Sequence, residues 1–578
     1  MSADEARQRA GFADAVDEGA GGVEGGARVL VRAEGLRVGF GGRGMRRGEA
    51  VVDGVSFELR AGRALAIVGE SGSGKSVTAR ALVGLAGAGS WVAAKTLEVG
   101  GASVLGRVDA DGVARGISAA EWRRIRGRQV GLVVQDALVS LDPLRPIGRE
   151  IDDALRLHTR LSPAERRARV LDLLESVGMP EPAVRRGLRS GELSGGLRQR
   201  ALIASALAAD PALVIADEPT TALDTTVQAQ ILELFSAIKA RGTGLLFISH
   251  DLAVVSRIAD DLLVMQGGRV VEAGPVDQVL GDPRTEYTRA LLRAVPTGVP
   301  RHTPLSARSP AAPTPEGGGA GGAVLEVRGV SKTFAGRGGM PSRVAVDDVS
   351  LVLERGRTLG LVGESGSGKT TVARIALALE RPDAGTVLLA GEPWVPALER
   401  DRRPRRHRIG AIYQDPLSSF DPRLTVGAIL ADAAGSTDAV AGLLASVDLS
   451  EAVAAARPLQ LSGGQRQRVA IARALAPDPE VLVCDEPVSA LDVSIQAQVL
   501  DLLDRLQRER GLSLLLISHD LGVIQHMSDT IAVMRDGRVL ESGSTADVFA
   551  APAHPYTREL LAAAPRLPRR PRGFSPGT

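Results

Sequence analysis

Short apolar runs that end in polar or glycine-rich turns alternate along this chain with stretches that read as helices. The runs include Leu65-Ala66-Ile67-Val68, Val130 to Gln135, Leu213-Val214-Ile215-Ala216 and one that closes on Ser249-His250-Asp251. The series returns as Leu359-Gly360-Leu361-Val362, Ile409 to Gln414, Val481-Leu482-Val483-Cys484 and a run that closes on Ser518-His519-Asp520. The helical stretches are Val77 to Leu85, Arg198 to Ala208, Thr371 to Leu379 and Arg466 to Leu475. This alternation predicts an α/β fold with mostly parallel sheets covered by helices. Ahead of each series, residues 28–56 and 324–351 read as strands and turns.

The pattern is an internal repeat. Lys75 and Lys369 are 294 residues apart (369 − 75). Ser194 and Ser462 are 268 apart, as are Asp217 and Asp485, and His250 and His519 are 269 apart. The first half is therefore longer by 26 residues (294 − 268), all between the first motif and Leu193-Ser194-Gly195-Gly196. Two copies of one domain are expected, at 28–296 and 324–564. Residues 297–323, rich in Pro, Gly, Ser and Thr, read as a linker that tethers without making contacts. Residues 1–27 read as a disordered acidic tail and 565–578 as a disordered basic one.

Each half opens its first helix with Gly-Glu-Ser-Gly-Ser-Gly-Lys, at Gly69 to Lys75 and Gly363 to Lys369, followed by Ser76 and Thr370. Strand, glycine loop and helix with Lys-Ser/Thr is a phosphate-cradling arrangement. Gly69, Ser71, Gly72, Ser73, Gly74 and Val77 would line one loop, and Gly363, Ser365, Gly366, Ser367, Gly368 and Thr371 the other. Glycines let backbone N–H groups turn toward phosphate oxygens, and the helix start adds partial positive charge. Lys75 and Lys369 would reach the β- and γ-phosphates, and the Ser76 and Thr370 hydroxyls would coordinate Mg²⁺.

Composition narrows the classes. The chain is 44% hydrophobic and only 3% aromatic, as in a globular protein. A net charge of +2 creates no field that would select nucleic acid. The longest uncharged stretch, Ala81 to Ala94, is too short and glycine-rich to span a bilayer. The single cysteine, Cys484, excludes an intramolecular disulfide and leaves no ligand set for an iron–sulfur cluster. These features point to the cytosol.

Taken together, these residues resemble the ATPase subunits of ABC transporters over nearly all of 28–565. The resemblance implies two tandem P-loop ATPase domains. Each would be a mostly parallel sheet with an antiparallel β subdomain and a helical subdomain carrying the Leu-Ser-Gly-Gly signature. ATP and Mg²⁺ are the implied ligands. Asp217 and Asp485 would hold Mg²⁺ with Gln135 and Gln414, which also contact the attacking water. Glu218 and Glu486 would polarise that water, and His250 and His519 would bond the γ-phosphate. Phe40 and Phe334 would stack on adenine, although each can also be a core aromatic. Ser194, Gly195 and Gly196 would close on the nucleotide held by Lys369, and Ser462, Gly463 and Gly464 on that held by Lys75. The halves would then form one head-to-tail pseudo-dimer within the chain, with both sites complete.

Two doubled stretches resemble the dipeptide/oligopeptide importer group. One follows each glutamine, Gln135-Asp136-Ala137-Leu138-Val139-Ser140-Leu141-Asp142-Pro143 and Gln414-Asp415-Pro416-Leu417-Ser418-Ser419-Phe420-Asp421-Pro422. Ala137 stands where that group has proline, and Asp142 and Asp421 where it has asparagine. The other closes each half: Glu286-Tyr287-Thr288-Arg289 and His554-Pro555-Tyr556-Thr557-Arg558. The first copy has Thr285-Glu286 in place of His-Pro. The group implies two membrane permease subunits, an extracytoplasmic solute-binding protein and a place on the cytoplasmic face of the membrane. The alternative is a non-transport paired ABC ATPase acting on ribosomes or DNA. Those carry a long charged helical linker or cysteine-rich zinc modules, and this chain has neither.

Overall fold

In the computed structural model, residues 27–41, 50–108, 114–135, 140–221, 223–306, 322–335, 342–489 and 491–567 are described. Residues 1–26 of the proposed acidic tail, most of the basic tail, linker residues 307–321 and Asp136 to Val139 lie outside them. The chain divides into two compact units. The first runs to Thr221 and takes in Gln230–Arg289, and the second holds Ala222–Ala229 and Ala290–Pro565.

Each unit has a six-stranded core sheet with the same strand order. In the first it is Arg269–Pro275, Asp261–Gln266, Ala64–Val68, Gly244–Ile248, Leu213–Asp217 and Val130–Val133. Every pair is parallel except Arg269–Pro275 with Asp261–Gln266. In the second it is Arg538–Ser544, Thr530–Arg535, Thr358–Gly363, Ser513–Ile517, Val481–Asp485 and Ile409–Ile412, with the same single antiparallel pair. The central strands are buried along their whole length, which is why they read as unbroken apolar runs.

The expected antiparallel subdomains are present. Val29–Phe40 pairs with Ala50–Arg60, Ser90–Ala93 and Thr96–Val99, and Ala323–Phe334 pairs with Arg343–Glu354 and Ala384–Leu389. Each shares an apolar core with its own parallel sheet. In the helical region, Ile147–His158 and Pro163–Ser176 pack against Gly195–Ala206, and Val426–Ala434 and Ala439–Ser446 against Gly463–Leu475. The extra length of the first half lies here and in the small antiparallel pair Leu105–Val108 with Ala114–Gly116. The core helices start earlier than periodicity suggests, at Lys75, Gly195, Lys369 and Gly463, because glycine, lysine, serine and threonine contribute nothing to an apolar period. Among the described residues no single helix is long and apolar enough to cross a membrane.

One expectation is corrected. Residues 298–306 are not a contact-free tether but are docked within the second unit. Val299 and Leu305 are buried. The Arg301 guanidinium pairs with Asp529 at 2.5 Å and donates to Gln507 at 2.8 Å and Thr358 at 3.2 Å. His302 Nδ1 lies 2.6 Å from Asp504, and the Leu305 and Ser306 N–H groups donate to Asp501, both at 2.9 Å. Asp501, Asp504 and Gln507 all lie on the helix Val493–Arg510. Apolar periodicity was blind to this because the contacts are mostly charges and backbone donors.

The repeat explains why Arg301 is needed. In the first unit Lys239 Nζ bonds Asp260 at 3.2 Å, while Asp260 accepts the Ala64 N–H at 2.7 Å. In the second, Asp529 accepts the Thr358 N–H at 2.7 Å in the same way, but the position equivalent to Lys239 is the neutral Gln507. Arg301 provides a cation in that place, alongside Arg357, which pairs with Asp529 at 3.1 Å. Arg301→Ala is therefore expected to destabilise the second unit by about 2 kcal/mol, less than for a fully buried pair because Arg357 stays on Asp529. Adding Gln507→Lys should restore much of the loss. Thermal melting of the full chain checks both, and an unshifted transition in Arg301→Ala would sink the assignment.

Candidate functional site

The parallel register brings the chemistry to one edge of each sheet. Ile67 stands beside Ile248, and Ile248 beside Asp217. In the second unit Leu361, Ile517 and Asp485 form the same row. The phosphate loop, the histidine, the Asp-Glu pair and the glutamine thus all leave from carboxyl ends of neighbouring strands, where ligands of α/β sheets bind.

Within each loop the lysine folds over the backbone. Lys75 Nζ donates to the Gly69 carbonyl at 2.7 Å and the Glu70 carbonyl at 2.8 Å, and Lys369 Nζ to those of Gly363 and Glu364, both at 2.8 Å. Burial lowers the pKa of Lys369, and the nearby Glu486 carboxylate opposes that shift. Gly74 and Gly368 cap the helices in the left-handed region at φ 98° and 105°.

Ser76 and Thr370 stand against the acids. Ser76 Oγ donates to Asp217 Oδ1 at 2.8 Å and Thr370 Oγ1 to Asp485 Oδ1 at 3.4 Å. Asp217 is buried, and its Oδ2 has no hydrogen-bond partner, only the Arg80 guanidinium at 3.7 Å. Burial raises the pKa of Asp217 and of Asp485, and the neighbouring glutamate adds to it. A hydroxyl beside a buried carboxylate with an unpartnered oxygen fits a Mg²⁺ ion, which takes one or two protein oxygens and keeps waters for the rest.

Glu218 and Glu486 bring the remaining groups together. Gln135 Nε2 donates to Glu218 Oε2 at 2.9 Å and Gln414 Nε2 to Glu486 Oε2 at 2.7 Å. His250 Nδ1 is 3.4 Å from Glu218 Oε1 and His519 Nδ1 is 3.1 Å from Glu486 Oε1. Burial is the largest single effect and opposes the charge on each glutamate, yet the histidine, the loop lysine and a neighbouring hydroxyl together outweigh it, and both pKa values fall below the ordinary one. His519 responds in kind: burial disfavours its cation, the Glu486 carboxylate overrides that, and its pKa rises. Both glutamates sit in the left-handed region, at φ 49° and 50°. Non-glycine residues hold that conformation only when their surroundings fix it. Here each glutamate N–H donates to the next strand, Glu218 to the Ile248 carbonyl and Glu486 to that of Ile517, both at 2.9 Å.

Phe40 and Phe334 end the antiparallel strands with 39% and 43% exposure, so neither is a core aromatic. Ser194 and Ser462 cap the signature helices, but unequally. Ser462 and Gln465 form a reciprocal cap, with Gln465 N–H to Ser462 Oγ at 3.3 Å and Ser462 N–H to Gln465 Oε1 at 3.0 Å. Leu197 stands at the equivalent first-half position, and the Ser194 side chain makes no cap bond. That difference was readable in the sequence and qualifies the expectation of two matched sites. Cys484 is fully buried in its strand, which pushes its thiol up to about 12. Sequence reasoning missed that a tyrosine from each half's closing segment reaches its own phosphate loop, Tyr287 to Glu70 and Tyr556 to Glu364.

Comparison with known proteins agrees with this geometry. A family profile described as ABC transporter matches residues 52–221 and 346–489. One described as the oligopeptide/dipeptide transporter C-terminal region matches 271–322 and 540–575. The peptidoglycan transport ATP-binding protein YejF of Agrobacterium fabrum is 43% identical over 533 residues, covering 89% of this chain and 92% of that protein. The glutathione import ATP-binding protein GsiA of Salmonella choleraesuis is 41% identical over 573 residues, covering 93% and 90%. Its counterpart in Shigella flexneri is 43% identical over 550 residues, covering 89% and 86%. The chain belongs to the ABC transporter ATPases, a family that binds ATP.

The loop glycines differ in what they tolerate. A Cβ on Gly69 would lie 2.1 Å from the Met265 carbonyl oxygen, and one on Gly363 2.1 Å from that of Met534. Gly72, at φ 78°, has nothing within 4 Å. Gly363→Ala is expected to abolish binding of a fluorescent ATP analogue at its site. Gly72→Ala should cost about 1 kcal/mol of stability through backbone strain and leave binding within a few-fold. Equal effects on binding would contradict this account of the loop.

Proposed function

We propose that the chain is the motor subunit of an ABC importer for di- or oligopeptides or a related small solute, driving two separate membrane permease subunits. The observation that carries this reading is the oligopeptide/dipeptide-type closing region behind each full set of ATPase residues. The relatives named for peptidoglycan transport and glutathione import support it, since both solutes contain short peptides. The chain would sit peripherally on the cytoplasmic face of the membrane and receive solute indirectly from an extracytoplasmic binding protein.

In this reading Lys75 and Lys369 neutralise phosphate charge, aided by loop N–H groups. Ser76, Asp217 and Gln135, and Thr370, Asp485 and Gln414, would hold Mg²⁺, which would supply positive charge to neutralise the phosphates. Glu218 and Glu486 polarise the attacking water, and His250 and His519 orient those glutamates while bonding the γ-phosphate. Phe40 and Phe334 take the adenine ring. The nucleotide on Lys75 is completed by Ser462, Gly463 and Gly464, and that on Lys369 by Ser194, Gly195 and Gly196. The halves pair head to tail within one chain.

The double variant Glu218→Gln and Glu486→Gln tests the chemistry. It keeps shape and hydrogen bonding but loses the charge that polarises water. ATP binding should persist while phosphate release falls by about 100-fold or more. A rate within a few-fold of the unaltered chain would sink the assignment. The transport reading predicts co-purification from membranes with two permeases, and ATPase stimulation by peptide-loaded binding protein. Fractionation with ribosomes instead would favour the non-transport alternative.

A further inference from the structure

The closing segment of each half contacts the phosphate loop through one hydroxyl. Tyr287 Oη accepts the Glu70 N–H at 3.1 Å, and Tyr556 Oη accepts the Glu364 N–H at 3.2 Å. The bonded N–H belongs to the peptide unit whose carbonyl, from Gly69 or Gly363, accepts the loop lysine. A single peptide plane therefore stands between ammonium and phenol in both units. Rotating that plane would break the lysine bond and the tyrosine bond together.

The tyrosine is itself held firmly. Tyr556 is 3% exposed, the Arg535 guanidinium lies 4.6 Å from its ring centroid, and burial keeps the phenol neutral with a pKa of about 12. Its helix, Pro555–Ala563, starts on Glu541, which accepts the Ala553 N–H at 2.7 Å and the His554 N–H at 3.0 Å. In the first unit Glu272 does the same for Arg284 at 2.7 Å and Thr285 at 3.1 Å. The anchoring strands, Arg269–Pro275 and Arg538–Ser544, are the outermost of each core sheet.

We infer that Tyr287 and Tyr556 are positioning residues for ATP: through the loop's first peptide unit, each closing segment sets the orientation in which its own loop receives phosphate. The inference rests on the ATPase reading of these loops. Tyr287→Phe, Tyr556→Phe and the double variant in the full chain test it, since phenylalanine keeps the ring and removes only the hydroxyl. The double variant should raise the KM for ATP and the Kd for a fluorescent ATP analogue about fivefold, the worth of one neutral hydrogen bond. Its kcat should stay within about twofold, and melting within a few degrees. Unchanged KM and Kd would overturn the inference, as would a lower melting temperature with kcat lost and KM unmoved, which marks a merely structural tyrosine. An unaltered chain that fails to hydrolyse ATP would instead refute the ATPase reading, and analogue affinity would still decide the role of the hydroxyls.

Discussion

The candidate site depends first on the register of the parallel core sheet. In a strand, neighbouring residues face opposite sides, so a slip by one position exchanges every inward group for an outward one. Asp217 is buried beside Ser76, while the next residue, Glu218, meets Gln135 and His250. A one-residue slip of Leu213–Asp217 would undo both sets of contacts. What prevents it is apolar packing with no chemical role: Val214, Ile215, Leu246 and Ile67 are fully buried. The carboxylates of Asp260 and Asp529 add a polar lock, each accepting the first N–H of the strand that leads into its phosphate loop.

The sheets and the candidate site were legible because each motif closes an apolar run, and the end of a run marks the end of a strand. The same motifs in the same order in both halves left little freedom in pairing lysine, glutamine, acids and histidine. What the sequence concealed is of another kind. That Glu218 and Glu486 adopt left-handed backbone follows from the fit of each N–H to an adjacent strand, which no local pattern encodes. The bonds of Tyr287 and Tyr556 to the loops span 217 and 192 residues, so periodicity gives no sign of them. The unequal caps at Ser194 and Ser462 were visible as Leu197 against Gln465, yet a four-residue motif read alone hides its fifth position.

The docked segment 298–306 shows the limit of reading a linker by composition. Gly, Pro and Ser signal little apolar burial, and so a loose tether. They say nothing about aspartates elsewhere that can accept further bonds. Asp501, Asp504 and Asp529 each take a bond from this segment, and three of its side chains, Arg301, His302 and Ser306, contact them. The first half needs no such help at the equivalent position because Lys239 serves Asp260 from its own helix. In the second half, where Gln507 stands in place of that lysine, Asp529 has Arg357 at 3.1 Å, and Arg301 of the docked segment adds a second cation to this half-buried carboxylate.

The same internal comparison separates what the closing segments must preserve from what they can change. His554 caps its helix by accepting the Tyr556 N–H at 3.1 Å. Thr285 occupies the equivalent place and accepts the Thr288 N–H at 3.2 Å, while its hydroxyl also donates to Glu272. The two caps use different atoms, different bonded residues and, in the second copy only, a proline in the first turn. The phenol oxygen nevertheless arrives at the same peptide of the loop, to within 0.1 Å in bond length (3.1 against 3.2 Å). A structure whose only requirement was a stable helix end would have no reason to hold that oxygen fixed while its own cap varied. The invariant is the hydroxyl against the loop, and the cap is the part free to drift.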